Sequence, residues 1–506
     1  MSKRAERLRW TVSGLLCTLT AAAAATAADR PQWGQQGTRN MVAQEQNLAE
    51  SFDPATGRNI KWVVSLGTET HGTPTIANGR VLIGTNNGAL RDPRHTGDRG
   101  VLMCFDEKDG RFLWQLVVPK LRVDHQDWPN AGIVAPPTIE GNRVYTLSNR
   151  HEVMCLDLLG QANGNDGPYQ DEGRHMAMPD GKPMEVTPLD ADIIWLFDLP
   201  NGAGIYPHDV ANCSILVDGP LLYVNTSNGV DASGRIFKVG AADAPALVVI
   251  EKATGRLVAR DHENMSPRTP HATWASPALG EVHGRRRIFF GGPDGICYAF
   301  EPLREIPPPG EVAKLRCVWR FDCDPTAPKE NIHRYVLKPD GPSNINGMPV
   351  FYKNRIYVAA GGDFCWGKKK AWLKCIDATG AGDITKTGEL WSYPLKQHCV
   401  ATPAISSGLV FITDCGRTLH CVDAETGKPY WTHDGKGEFY ASPLVADGKV
   451  YAVSRAGDFW ILAAGKEKKV FGSVTLDGPI SSTPVAANGV LYVTTRTRLY
   501  AVQKSR

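Results

Sequence analysis

Five histidines of this 506-residue chain, His71, His125, His208, His271 and His398, each stand in a short polar stretch with other groups able to do chemistry. Around them lie Asp127 and Trp128, Asp209 and Asn212, Trp274, Asn344 and Asn346, and Tyr440. Imidazole is a common transition-metal ligand, but no two of these histidines have the i,i+4 spacing by which a helix presents a pair to one ion. His208 and Asp209 are the best coordinating pair. With Asn225 and Asn228 they make an oxygen-rich set suited to a hard cation such as Ca²⁺. Trp128 or Trp274 offers an aromatic face, and Asp209 or Asp363 a base. A separate stretch, Asn163-Gly164-Asn165-Asp166-Gly167 to Asp171-Glu172, has the composition of a calcium loop. Its acids fall out of EF-hand register, because positions one, three and five are not all oxygen donors. No C-x-x-C-H is present for covalent haem, no G-x-S-x-G for a serine hydrolase, and no metalloprotease motif.

The elements that must position these residues are repeated. Ala401-Thr402-Pro403-Ala404, Ala441-Ser442-Pro443-Leu444 and Ser482-Thr483-Pro484-Val485 are each followed by a Gly turn, an alternating apolar run, a second turn and a third run. Pro403, Pro443 and Pro484 lie about forty residues apart, the period of a four-stranded propeller blade. Five earlier units open at Thr73-Pro74, Pro136-Pro137, Cys213-Ser214, Ser276-Pro277 and Gly347-Met348, which makes eight. Fourth strands usually carry a tryptophan (Trp114, Trp195, Trp319, Trp391, Trp431), with Val258 and Phe471 in two weaker blades. The eighth unit stops after three strands, and Asn59 to Val64 follows the pattern of the missing fourth. The expected fold is all-β: one eight-bladed β-propeller of four-stranded antiparallel blades over residues 28–506, with an insert at 158–188 in blade two. Its last blade is closed by the N-terminal strand, which removes the exposed sheet edges that invite aggregation.

Residues 1–27 read as a secretory signal peptide: Lys3, Arg4, Arg7 and Arg9, then a small apolar run, then Ala25-Thr26-Ala27. The protein is therefore expected to be exported, periplasmic or secreted. The leader's four basic residues against Glu6 leave a surplus of three, equal to the whole-chain net charge of +3, so the mature chain is formally neutral. No basic run points to nucleic acid, and no other apolar stretch is long enough to span a membrane. Of the 12 cysteines, one (Cys17) lies in the leader, leaving eleven. Cys104, Cys155, Cys375 and Cys421 share one third-strand position in separate blades, too far apart to bridge, and read as packing thiols. Cys399 with Cys415, and Cys317 with Cys323, are the better disulfide candidates.

The block Cys421-Val422-Asp423-Ala424-Glu425-Thr426-Gly427-Lys428-Pro429-Tyr430-Trp431 resembles the tryptophan-docking repeat of PQQ-type (quinoprotein-like) β-propellers. That superfamily contains quinoprotein dehydrogenases and also the cofactor-free, BamB-like outer-membrane assembly propeller. Gly204 to Asp209, Asn225 to Asp231 and Trp319 to Asp324 resemble a secreted branch typical of planctomycete-like bacteria. The dehydrogenase resemblance implies a Trp stacked on the quinone, a Ca²⁺ site and an Asp base. It also implies a vicinal Cys-Cys pair over the quinone, and no two cysteines here are adjacent.

In a four-stranded meander, the blade-to-blade connections and the loops between strands two and three share one face. That face gathers the polar stretches at the mouth of the central channel, and convergent polar and aromatic groups in a concave mouth define a binding site. The expected binding residues are His71, Trp128, His208, Asp209, Asn225, Asn228, Trp274, Asn346, His398 and Tyr440. The alternative is that these side chains only satisfy loop backbone groups. The expected function is a binding or scaffold propeller for a small-molecule ligand or protein partner, with no cofactor. The alternative is a PQQ- and Ca²⁺-dependent oxidoreductase. On the thiol assignment, mass spectrometry of denatured, unreduced protein will find Cys104, Cys155, Cys375 and Cys421 alkylated as free thiols; a disulfide between any two of them contradicts the blade register.

Overall fold

A computed structural model describes residues 28–505 except 235, 273 and 364–366. The leader at 1–27 lies outside the described residues. Eight four-stranded antiparallel meanders form the ring. Blade six is typical: Ala404–Ser406, Leu409–Asp414, Thr418–Asp423 and Pro429–Asp434 pair in sequence order, from channel to rim. Blades three and four each add a short parallel strand at the outer edge, Ala313–Lys314 and Gly382–Asp383. Blade eight takes its outer strand from Ile60–Ser65, which pairs with Arg498–Val502. Closure by the N-terminal strand is as the repeat predicts. Among the described residues no helix is long and apolar enough to cross a membrane.

The blades are locked to one another by tryptophan. In six blades the outer-strand indole donates its Nε1 hydrogen to a backbone carbonyl in the third turn of the next blade: Trp62 to Glu107, Trp114 to Leu158, Trp195 to Lys252, Trp319 to Ala378, Trp391 to Ala424 and Trp431 to Gly465, at 2.9–3.1 Å. The receiving turn must come very close. A Cβ on Gly255 would sit 2.5 Å from the Trp195 ring, and one on Gly427 2.6 Å from Trp391; both glycines also have positive φ. The strand beside each indole must be small as well. Cys104, Cys155, Cys375 and Cys421 stand opposite Trp114, Trp195, Trp391 and Trp431, and Ala299 and Ala501 stand opposite Trp319 and Trp62. This explains the recurrent thiols: they leave room for a ring.

Blades three and seven correct the sequence reading. Their registers put Ala259 opposite Val249 and Gly472 opposite Ile461, so the docking position holds Ala259 and Gly472, and Val258 and Phe471 lie one residue earlier. With no indole, the third strand carries the bulk, and extra chain fills the joint. Leu303 and Ile306 pack between blades three and four, where Leu303 N donates to Tyr223 Oη at 2.8 Å. Leu48 and Phe52 fill the joint between seven and eight, with Phe52 edge-on to Phe459 at 5.3 Å.

Leu48 and Phe52 end a segment that the repeat gave no reason to expect. Residues 30–45 circle the axis once, touching the innermost strands of all eight blades in order. Arg30 bonds Ile76, Pro31 Ile139, Trp33 Ser214, Gly37 Leu279, Thr38 Phe351, Asn40 Ile405, Ala43 Val445 and Glu45 Gly489. Arg39 is its pivot, 0% exposed. Its guanidinium donates to Pro277 O (2.8 Å), Ser214 O (2.7 Å), Ser214 Oγ (3.1 Å) and Trp33 O (3.2 Å). Ser214 and Pro277 stand at the starts of the inner strands, so Arg39 lies beneath the cavity floor rather than at its rim.

The ten described cysteines are free thiols, and so neither proposed disulfide forms. The sulfurs point at carbonyls instead: Cys399 at Thr413 O (3.1 Å), Cys415 at Phe439 O (3.7 Å), Cys317 at Trp319 O (3.3 Å) and Cys323 at Phe321 O (4.0 Å). Replacing Arg39 by Ala strands several buried carbonyls and opens a hole. It should cost about 3 kcal/mol, read as a lower urea midpoint; an unchanged midpoint would show that the segment is not structural.

Candidate functional site

The channel is a cavity of about 570 Å³ open at the mouth. Every blade-to-blade connection contributes to its wall, and Trp33 of the N-terminal segment lies in its lining. The pocket is blind because the circling segment occupies the opposite end. Much of the lining is apolar or aromatic, including Trp33, Trp128, Val134, Val210, Phe237, Trp274 and Val400.

Seven of the ten expected residues line this cavity: His71, Trp128, His208, Asp209, Trp274, Asn346 and Tyr440. Trp128 stands at the rim, 57% exposed. Tyr440 lies under the Arg455 guanidinium at 4.6 Å. His71 Nε2 is 3.4 Å from Glu69, which Arg496 also holds at 2.9 Å.

Asn225, Asn228 and His398 are not in that lining. Asn225 Oδ1 accepts from Ser227 N at 2.9 Å and its Nδ2 donates to Ala275 O at 2.9 Å. Asn228 Oδ1 accepts from Tyr206 N at 2.8 Å, and its Nδ2 donates to Ser266 Oγ at 2.8 Å. Both amides brace loops, as the alternative reading of loop asparagines supposed. His398 is buried, which lowers its pKa.

At the centre of the wall His271 faces Asp363. Its Nδ1 is 3.5 Å from Asp363 Oδ2, and Asn346 Nδ2 approaches the same oxygen at 3.4 Å. Burial works against the imidazolium, but Asp363 outweighs it and raises the His271 pKa. His208 lies edge-on to His271, ring centres 4.7 Å apart. Burial, and then the neighbouring imidazole, pushes His208 down to about 3, so it stays neutral. Burial also raises the pKa of Asp209, whose backbone is left-handed at φ 59°. At the rim His125 Nε2, Tyr206 Oη and Asp231 Oδ1 form a chain with 3.0 Å links.

Several lining groups are buried without a protein partner among the described residues: Trp33 Nε1, His208 Nδ1, Asn212 Oδ1 and Asn346 Oδ1. Sequence reasoning missed Trp33, Phe237 and Arg455. Trp33 lies in a stretch with no strand period; its signal was an apolar set, Trp33, Met41, Leu48 and Phe52, outside any repeat.

An eight-bladed ring locked by tryptophans and opening to a polar mouth defines a β-propeller of the PQQ type. A family model described as outer membrane protein assembly factor BamB matches residues 3–118 and 369–504. Among solved structures, BamB from Moraxella catarrhalis is similar at TM-score 0.51 and 12% identity, covering 87% of this chain and 96% of that one. A europium-containing methanol dehydrogenase is similar at TM-score 0.55 and 11% identity, covering 94% and 98%. A quinohemoprotein alcohol dehydrogenase of Comamonas testosteroni is 25% identical over 146 residues, 25% of this chain, and the match spans 21% of its own length. At these identities the solved structures speak for the fold alone. The chain is a PQQ-type propeller, with both assembly-factor and dehydrogenase relatives.

The mouth can be tested for a quinone and its cation. Asn225 and Asn228, the amides suited to a cation, have their oxygens engaged by backbone N–H groups. Asp363 is committed to His271. Among the described residues, the mouth brings no three His, Cys, Asp or Glu ligand atoms within metal-binding distance of one another. No adjacent cysteines exist to cover a ring. These residues do not fit PQQ with Ca²⁺.

Replacing His271 by Gln keeps the shape and removes the charge. The folded His271 pKa is raised, so the stability it supplies is fully present below the ordinary imidazole value of about 6.5 and is lost as pH rises through the folded value. Thermal unfolding at about pH 5 and about pH 8 should therefore show a larger wild-type advantage at the acid end. A larger advantage at the alkaline end contradicts the pairing with Asp363.

Proposed function

We propose that this protein is a binding propeller whose blind cavity receives a ligand through the polar mouth. The observation that supports it best is the convergence of His208, Asp209, Asn212 and Asn346 with Trp33, Trp128 and Trp274 on one largely apolar cavity. A concave, largely apolar wall carrying a few polar side chains is the make-up of a ligand site. The cavity volume lies in the range of small-molecule sites, about 300–1,000 Å³. Donors and acceptors beside indole faces suit a hydroxylated ligand with an apolar face, and neutral His208 can donate or accept. The binding residues are His71, Trp128, His208, Asp209, Asn212, Trp274, Asn346 and Tyr440.

A second reading, a scaffold that captures a protein segment at the same mouth, is favoured by the match to the assembly-factor model. A quinoprotein dehydrogenase is disfavoured by the engaged amides and the absent cysteine pair. Export to the periplasm or beyond accords with either binding reading.

Trp33, Trp128 and Trp274 make intrinsic fluorescence a direct reporter of the cavity. The full chain is titrated with PQQ plus CaCl₂ and with a panel of mono- and disaccharides. PQQ should bind weakly or not at all, dye-linked alcohol oxidation should stay at background, and at least one sugar should shift the emission. The triple variant His208→Ala, Asp209→Asn, Trp274→Ala should lose that response while its melting temperature stays near that of the wild type. A tight stoichiometric PQQ complex with turnover would sink the binding reading.

A further inference from the structure

Blade two carries its long connection, Leu158 to Pro188, on the face away from the mouth. Both roots of that connection are acidic: Asp157 ends the third strand, and Asp192 immediately precedes the fourth. The connection folds back so that Asp166 meets them. One carboxylate oxygen from each of Asp157, Asp166 and Asp192 lies within 4.8 Å of the other two. Glu172 is buried alongside, its Oε1 accepting from Ile193 N (3.2 Å) and its Oε2 from Asn165 Nδ2 (2.9 Å). Arg143 pairs with Asp157 Oδ2 and supplies one positive charge.

Clustered acids at a surface are ordinarily solvated and signify little. Asp192 is different. It is 0% exposed, its Oδ2 accepts from Asp166 N at 3.0 Å, and its Oδ1 has no hydrogen-bond partner among the described residues. A carboxylate buried with an unused oxygen and like charges beside it is unfavourable unless a cation joins it.

We propose that Asp157, Asp166 and Asp192 bind a calcium ion that ties the blade-two connection to its sheet. The donor set is all carboxylate oxygen, the chemistry of a hard cation. Calcium accepts irregular shells in which loop carbonyls complete the ligands, whereas magnesium demands near-octahedral geometry. Three carboxylates against one guanidinium leave a negative surplus that a dication neutralises. The site uses none of the mouth residues, and it does not depend on what the cavity binds.

The full chain, stripped with EDTA, is titrated calorimetrically with CaCl₂ and separately with MgCl₂. One Ca²⁺ should bind per chain, with Mg²⁺ weaker, and Ca²⁺ should slow proteinase K cleavage within residues 159–188. Asp192→Asn and Asp166→Asn should each weaken Ca²⁺ binding by roughly tenfold or more, the scale seen when a metal shell is disturbed. Asp166 is only half-buried, so its variant decides the matter if the buried substitution fails to fold. Asp209→Asn, at the mouth, should leave Ca²⁺ binding unchanged. The proposal is overturned by absence of stoichiometric binding, by undiminished binding in Asp166→Asn, by equal affinity for Mg²⁺, or by loss of binding in Asp209→Asn.

Discussion

The structure depends on one contact repeated around the ring: an outer-strand indole set onto the third turn of the following blade. Each such ring buries on the order of 200 Å² and, at about 25 cal/mol per Å², contributes several kcal/mol. The N–H bond to a turn carbonyl adds direction to a force that is otherwise non-directional. Small residues on both sides are part of the same contact: a thiol or methyl on the neighbouring strand, and a glycine such as Gly255 beneath the ring. Where blades three and seven lack the indole, Leu303 with Ile306 and Leu48 with Phe52 supply the missing volume. A ring of eight joints tolerates no loose one, because a gap at one joint opens every angle that closes the circle.

That scaffold was legible in the sequence because its causes are local and periodic. Pro403, Pro443 and Pro484, the glycine turns and the outer tryptophans each report a strand or joint within one repeat. The docking register of blades three and seven was misread by one residue because the outer strand is bulged there in every blade, and without an indole no residue marks the docking position. Residues 28–58 were opaque for the opposite reason. Their bonds go to eight strands scattered over the whole chain, so no spacing within the segment reveals them.

The candidate site was half legible. Topology placed the connections at the mouth, and seven expected side chains line the cavity. It could not tell which way an asparagine points. Asn225 and Asn228 occur in the same polar loop chemistry as Asn212 and Asn346, yet the first pair serve the backbone and the second pair present an unpartnered oxygen. The acidic cluster at blade two was hidden by distance along the chain, since Asp157 and Asp192 flank the insert they clasp. One ring thus supports assembly-factor and dehydrogenase relatives alike, and the difference must lie in such side-chain choices rather than in the strands.

The circling N-terminal segment also governs the order in which the molecule can be made. Residues 30–45 leave the ribosome long before their last partner, Gly489, has been synthesised. The same holds for Ile60–Ser65, whose partner strand is Arg498–Val502. Individual blades can form as they emerge, but the axis cannot be filled and the circle cannot shut until blade eight has been made. Folding of this kind is dominated by contacts between distant residues, which is slow, and it leaves open-ended arcs with bare strand edges in the meantime. A prematurely terminated chain would therefore be no smaller propeller but an arc with its two ends unjoined.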